Sequence, residues 1–507
     1  MARYKLVDRS PRFLPIVLES QLIPGSFEHA LDVLVDTEVD LSGIEARFRN
    51  DETGAPAYDP AVMLKIVLLA YSRGVVSSRA IERLCRENVL FMAISGDSAP
   101  RFTTIAAFVR ELGEEASAIF TQVLLACDRL GLIGRQMFAI DGVKLPSNAD
   151  KRHSGTHAEL AHEAGRMEKA VAKMVNAHRA RDEAKDSGED AAKERVRMNR
   201  LRSEARRIRE FLATHTDRRS EKGSVRKSNV TDNDSAKMAT SKGVIQGYAA
   251  VAAVDAKSQV IVAAHAHGSG SEQSALLPIL QSTSDLRTSQ TVLTADAGFH
   301  SEANLKALYE RGVPALVADG LMRRRDERFA DQAKYKALPD PLWDKTAGPT
   351  TSAVKFKPSD FHYDPATNRC ICPAGKKLYS TGSHCSTHGR RHHKFQGAKR
   401  DCLPCNLRDR CLRHPERTAT RQVAFFDKTV GSPLEFTERM KAAIDSERGR
   451  ALYGRRIATV EPVFANLRHN KRLDRFTLRS RPKVNAQWQL YCLVHNIEKL
   501  AHHGYGR

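Results

Sequence analysis

Aromatic residues are scarce, at 6% of 507 residues, with two tryptophans. So small a supply argues against an aromatic cage or a sugar-stacking surface. Long apolar runs are missing too. The longest apolar helix candidate, residues 61–76, is interrupted by Lys65, Ser72 and Arg73, whereas a membrane-spanning helix needs about 20 predominantly apolar residues. The first ten residues are charged and lack the apolar core of a secretory signal. The expected compartment is the cytoplasm, where structural disulfides are rare. Acidic residues are the last deficit: 60 Asp and Glu face 81 Lys and Arg, leaving a formal charge of +21. Such a surface attracts polyanions, nucleic acid first and anionic membrane second.

What is present is enough for a real core, since 41% of residues are hydrophobic. The length suggests roughly two to four domains. Residues 1–135 read as a helical domain. Asp59-Pro60 supplies an N-cap and a first-turn proline for a helix over 61–71. Ser77-Ser78 caps 79–87, Thr103-Thr104 caps 105–112, and 115–130 ends at Gly131. Short helices with tight turns fit a helix-turn-helix-like module or a plain supporting bundle.

At Gln136 the pattern changes. The run Met137-Phe138-Ala139-Ile140 reads as a buried strand ending at Asp141-Gly142. Two long helical stretches follow, with Leu160, Ala164, Met167, Val171 and Met174 in one and Met198, Leu201, Ala205, Ile208 and Leu212 in the other. Their spacing predicts an antiparallel hairpin inserted over 158–222, turning at Asp186-Ser187-Gly188. Its charged faces, with Arg206, Arg207 and Arg209, fit either solvent or DNA. Strands then alternate with helices. Residues 248–254 and 260–266 form a hairpin, a helix leads to a strand over 291–295 ending at Asp296, and Ser301 caps a helix before a strand over 314–317. The fold class is α/β with a sheet of mixed direction. This core, 136–320, is interrupted by a Cys-rich insertion over 321–420 and completed by a helical stretch in 421–507, from about 433 to 500.

Asp141 and Asp296 end separate apolar strands, the edge where open α/β sheets bind ligands. An acid there is costly unless a divalent cation offsets its desolvation. Glu461, beside Val460, Val463 and Phe464, is a third candidate on a half-buried helix face. Three hard oxygen donors suit Mg²⁺ or Mn²⁺. A turn or cap role for the two aspartates fits the spacing equally well.

The residues around these acids resemble a known family. Ala139-Ile140-Asp141-Gly142-Val143-Lys144-Leu145 with Asn148-Ala149, and Leu293-Thr294-Ala295-Asp296-Ala297-Gly298-Phe299-His300, look like the two aspartate blocks of bacterial insertion-sequence DDE transposases. Tyr453, Arg456, Glu461 and Arg468 resemble that family's Tyr-Arg-Glu-Lys signature, with arginine at the lysine position. The helical segment with Gly74-Val75-Val76-Ser77-Ser78-Arg79 resembles its N-terminal domain. The resemblance implies a ribonuclease-H-like core, an N-terminal DNA-binding domain, and metal-dependent DNA end cleavage and strand transfer. It implies Asp141, Asp296 and Glu461 as ligands of two Mg²⁺ or Mn²⁺ ions, with Lys144, Tyr453, Arg456 and Arg468 on DNA. It also implies a homodimer acting on element ends and target DNA at the nucleoid. A non-catalytic DNA-binding protein and a metal-dependent nuclease of the same fold are the alternatives.

Six of nine cysteines fall between Cys370 and Cys411. Cys372, Cys402, Cys405 and Cys411 have a spacing that suits one structural Zn²⁺. Similar transposases carry a comparable block. Cys370, Cys385, His384 and His388 are alternative ligands, and free or redox-active thiols are the other reading. Cys85, Cys127 and Cys492 lie in apolar helical contexts and read as core residues.

Overall fold

The computed structural model describes residues 15–48, 56–183, 191–219, 223, 225–240, 243–329, 355–387, 390–426 and 435–506. The turn at Asp186-Ser187-Gly188 and His388 lie outside those residues. The chain divides into two compact units, Met1–Gly320 with Met440–Arg507, and Leu321–Arg439.

The first unit opens with α1 (Phe27–Glu38), α2 (Ser42–Glu45), α3 (Pro60–Ser72), α4 (Ser78–Glu87), α5 (Val89–Ser95), α6 (Phe102–Glu111) and α7 (Glu115–Arg129). The Ser26 side chain accepts from the His29 amide to start α1, whose apolar face is buried. Asp59 accepts from the Ala61 amide to start α3. Lys65, the charge that breaks the apolar run of α3, is 6% exposed. Its ammonium lies 2.6 Å from both Asp32 and Asp36, one turn apart on α1. A buried cation needs such partners, so this charge joins two helices. Two expectations need correction. Thr103 and Thr104 lie inside α6, because the Glu82 carboxylate accepts from the Phe102 amide at 2.9 Å and starts the helix earlier. The sequence reading omits α5, which Asn88 caps.

The sheet follows: β1 (Met137–Pro146), the short β2 (Ser154–Gly155), then helices α8 (His157–Glu183) and α9 (Ala191–Thr214). The two helices pack through Leu160, Ala164, Ile208 and Phe211, and Arg209 donates twice to Glu168. Short pieces β3 (Arg218–Arg219), β4 (Val225–Arg226) and β5 (Ser228–Asn229) precede β6 (Ala236–Thr240), β7 (Gly243–Asp255) and β8 (Ile261–His267). Next come α10 (Leu276–Ser282), β9 (Val292–Ala295), α11 (Glu302–Glu310) and β10 (Ala315–Val317). The strand order is β10-β9-β1-β7-β6, with β8 also on β7. β1 runs antiparallel to β7 and parallel to β9, and β10 is parallel to β9. This is the mixed sheet expected of a ribonuclease-H-like core. β1 does not end at Asp141-Gly142. Its parallel pairing stops at Ile140 opposite Ala295, while antiparallel pairing continues to Pro146 opposite Gly247.

The second unit contains α12 (Met322–Arg325) and an antiparallel sheet of β11 (His362–Asp364), β12 (Arg369–Ile371), β13 (Lys377–Thr387), β14 (Arg390–Gln396) and, after α13 (Lys399–Cys402) and α14 (Arg408–Cys411), β15 (Gln422–Phe426). Phe361, Cys370, Leu378, Phe395 and Val423 form its core. Sequence patterning missed this sheet. Register shifts around Gly382 interrupt the alternation that would mark β13.

The chain closes with α15 (Glu435–Asp445), α16 (Glu447–Ala465) and α17 (Arg481–His502). The single stretch expected from 433 to 500 is divided twice: Ser446 caps a new helix after α15, and between α16 and α17 Arg472 and Ser480 take positive φ, at 53° and 69°. α17 packs on α1, α3 and α7 as well as β8, which joins the N-terminal helices and the sheet in one unit. Its Asn496 accepts from the Ile261 amide and donates to the Ile261 carbonyl, while Asn485 accepts from the Ala266 amide. These side chains satisfy the open edge of β8. Trp488, fully buried, donates its indole N–H to the Val251 carbonyl at 3.1 Å. Trp488→Ala is expected to cost about 3–5 kcal/mol, read as a lower urea midpoint of the first unit.

Candidate active site

Two aspartates reach one end of the sheet by different routes. β9 stops at Ala295, and Asp296 then accepts from the Gly298 amide at 2.9 Å, capping a short turn. Asp141 sits on β1 just past its last parallel pair, and its Oδ1 accepts from the Gly142 amide at 2.8 Å. Each carboxylate is held by a glycine amide following it in the chain.

The third acid comes from α16, which packs across β1, β7 and β9. Arg456 on this helix is 6% exposed. Its Nε donates to the Ile140 carbonyl at 3.2 Å, and its Nη2 lies 3.1 Å from Asp141 Oδ1. Burial pushes the Asp141 carboxyl up from its ordinary range; Arg456 and the Gly142 amide oppose this, and the charges of Asp296 and Glu461 add to it. The three acids, far apart in sequence, therefore act on a common field. Glu461 itself is exposed, not half-buried as expected. Val460 and Val463, both fully buried, take the inward positions of the helix.

A fourth carboxylate joins them that the sequence reading did not single out. Glu272 stands at the end of the loop after β8, with its side chain 17% exposed. Burial pushes its carboxyl up, Lys144 opposes, and Asp296 and Asp141 push it further up. Lys144 Nζ is 3.6 Å from its Oε1. The Gly-Ser-rich segment before Glu272 has no periodicity to flag it. An acid five residues past β8 is a far weaker signal than Asp296, which follows β9 directly.

The residues expected to hold DNA divide. Arg468 is exposed, in the turn Asn466–Asn470 after α16. Tyr453 is half-buried on α16. Arg456 does not face outward; its guanidinium is committed to Asp141 and Ile140. Lys144 is paired with Glu272. The polar run Asp232-Asn233-Asp234-Ser235, before β6, has a structural task. Asp232 accepts from the Tyr248 hydroxyl and the Ser480 amide, and Asp234 from the Arg481 amide, which anchors the start of α17.

The donor set fits a hard divalent cation: four carboxylates face two cations, Arg456 and Lys144, so a positive charge is wanted there. Among the described residues no three His, Cys, Asp or Glu groups are drawn into a ready-made metal cage.

In the second unit, Cys372, Cys402, Cys405 and Cys411 line one cavity. The Cys411 thiol is pushed up by burial and by Cys402, Cys372 and Cys405, against Arg421. Cys370 is fully buried in the core of that sheet, its thiol pushed up to about 11 by burial. Cys385 lies on β13 opposite His392, and His384 is on the same strand. Cys85, Cys127 and Cys492 are buried.

Three segments match known families. Residues 17–111 match a family described as Transposase domain (DUF772), and residues 212–368 and 371–501 match two families each described as Transposase DDE domain. Asp296 and Glu461 fall inside the matched segments, and Asp141 falls between them. No curated protein matches the chain. Among the described residues no helix is long and apolar enough to cross a membrane.

Proposed function

The chain belongs to the DDE transposases of insertion sequences, and from that premise we propose that Asp141, Asp296 and Glu461 hold its catalytic divalent cations. The activity is polynucleotidyl transfer in DNA transposition, with divalent-metal catalysis. The observation that carries the residue assignment is the Asp141–Arg456 pair within reach of the charges of Asp296 and Glu461.

Two bound Mg²⁺ or Mn²⁺ ions would activate the attacking oxygen and stabilise charge on the leaving oxygen. Asp141, Asp296 and Glu461 would hold them, with Asp141 feeling the charges of both other acids. Arg456 acts as a positioning residue. It fixes the Asp141 carboxylate and, through the Ile140 carbonyl, the seat of α16 on β1. Glu461 is thereby set at its height above the sheet. The amides of Gly142 and Gly298 hold the aspartates in the orientation that receives a cation. Arg468, Tyr453 and Lys144 contact phosphates beside the site, where cations position DNA without reading sequence. Residues 1–135 serve as the DNA-binding domain, 136–320 and 421–507 as the catalytic core, and 321–420 as the Cys-rich insertion. One structural Zn²⁺ on Cys372, Cys402, Cys405 and Cys411 braces that insertion, a reading supported by their shared cavity. Two element ends need two active sites, so a homodimer assembles on DNA, working in the cytoplasm at the nucleoid.

The test is incubation of the protein with its element ends, target DNA and Mg²⁺, with products resolved on a denaturing gel. The expected result is cleavage at the ends followed by joining to target. Cleavage without joined product would mark a nuclease instead, and binding without cleavage a non-catalytic DNA-binding protein.

A further inference from the structure

The loop that carries Glu272 is fastened to the loop that carries Asp296. Gln273 Nε2 donates to the His300 carbonyl at 2.9 Å. Asn304, 5% exposed, donates through one Nδ2 to both the Gln273 carbonyl and the Phe299 carbonyl, each at 2.8 Å. These bonds fix two segments far apart in sequence, one on each side of a carboxylate pair. A buried side-chain amide spent wholly on two loop carbonyls is a strong constraint on loop position.

A glycine beside Asp296 makes room for Glu272. Gly142 follows Asp141, and Gly298 lies two residues past Asp296. A Cβ at Gly298 would collide with the Glu272 carboxylate and come within 3.0 Å of Asp296 Oδ1. A Cβ at Gly142 would meet Val251 first, at 3.2 Å, and would only touch Glu272 Cγ, at 3.9 Å. The Glu272 and Asp296 carboxylates thus approach the same small space, left open because residue 298 has no side chain. Two carboxylates brought together this way repel unless a cation lies with them. In this structure Lys144 lies on Glu272, at 3.6 Å.

We propose that Glu272 is a fourth carboxylate of the catalytic pocket, presented with Asp296 to a divalent cation, and that Lys144 neutralises it until that cation arrives. The proposal rests on the assignment of Asp141, Asp296 and Glu461 given above. Cation entry would release the Lys144 ammonium from Glu272 and leave it free for a DNA phosphate. The pairing of a lysine with this acid, two residues past Gly142 on the same strand, gives the cation-free pocket a built-in counter-charge. It also makes opposite predictions for the two partners.

The experiment is a titration of full-length protein with Mn²⁺ alone, without DNA, following the electron paramagnetic resonance of free Mn²⁺. Glu272→Gln keeps the shape of the side chain and its expected effect is Mn²⁺ binding weakened about 10–100-fold, the range for losing a group that supports a metal. Glu272→Asp retains the charge and recovers part of that loss. Lys144→Gln removes the competing ammonium and tightens Mn²⁺ binding. Asp141→Ala is the control for the site as a whole. If Glu272→Gln binds Mn²⁺ like the unaltered protein while Asp141→Ala does not, the fourth-carboxylate proposal is overturned and the three-acid assignment stands. If Asp141→Ala also binds Mn²⁺ normally, the three-acid assignment itself is overturned. Weaker binding in Glu272→Gln without tightening in Lys144→Gln keeps the carboxylate role and overturns the counter-charge.

Discussion

Asp141→Ala is expected to lower cleavage of element ends by about three orders of magnitude or more, while binding of terminal DNA is largely retained. The size follows from position. Asp141 is the acid on which the other charges converge: Arg456, Asp296 and Glu461 all act on it. A metal pair contributes several kcal/mol of charge stabilisation in the transition state, and each 1.36 kcal/mol is about tenfold in rate. Loss of this ligand would remove most of that. DNA affinity rests on a different resource, the excess of Lys and Arg over the whole chain, and its phosphate contacts are spread widely. The alanine variant also leaves the buried Arg456 without its carboxylate, which threatens the seat of α16. Asp141→Asn retains the side-chain shape, and its thermal melting is expected to stay closer to that of the unaltered protein. Rates are read from single-turnover cleavage gels, and DNA binding from gel shifts of the same preparations. Cleavage by Asp141→Ala at the normal rate would sink the assignment.

How far the site was legible in the sequence depends on which neighbour decided each residue's role. Asp296 was easy: β9 is a short apolar run with an acid at its end, and the acid caps the next turn. Asp141 is legible too, though its strand does not end where the apolar run does. It ends the parallel pairing with β9, but β1 continues alongside β7, and a local pattern cannot tell which neighbour stops first. By sequence Arg456 reads as a phosphate contact, because an arginine on a helix has no sequence mark for burial. Only the packing of α16 on β1 turns it inward. Glu272 escaped notice because its place is set by Asn304 and Gln273 holding two loops, a tertiary fact with no periodic trace. Lys65 shows the converse. It looked like an interruption of an apolar helix, and two acids on α1 made it a core contact. Helices and inner strands were readable because burial imposes a period on them. The second unit's sheet was not, since its bulged strands break that period.

Cys402→Ser combined with Cys405→Ser is expected to abolish bound zinc and to unfold the second unit selectively. The unaltered chain should carry about one zinc per chain. Among the described residues the apolar core there is small: Phe361, Cys370, Leu378, Phe395 and Val423 are its buried members. So small a core rarely stabilises a domain without a staple. The four candidate thiols come from separate local structures. Cys372 opens a tight turn in which the Gly375 amide donates to its carbonyl and the Lys376 amide points at its Sγ, 3.4 Å away. Cys402 and Cys411 end the short helices α13 and α14, and Cys405 lies between them. An amide aimed at sulfur favours the thiolate that zinc requires. Clustered thiols without a metal oppose one another's ionisation, and at Cys411 they add to the upward push of burial. Zinc binding in small Cys-rich peptides carries an apparent free energy of about 10–16 kcal/mol, far above what so few apolar residues supply. The double variant should therefore lose protease resistance within 321–439 while the first unit keeps its cooperative melt. Elemental analysis and limited proteolysis of the same samples read both effects. Unchanged zinc content in the double variant would remove Cys402 and Cys405 from the ligand set. Zinc-free protein with a normally protected second unit would leave the thiols as ordinary residues of a cavity.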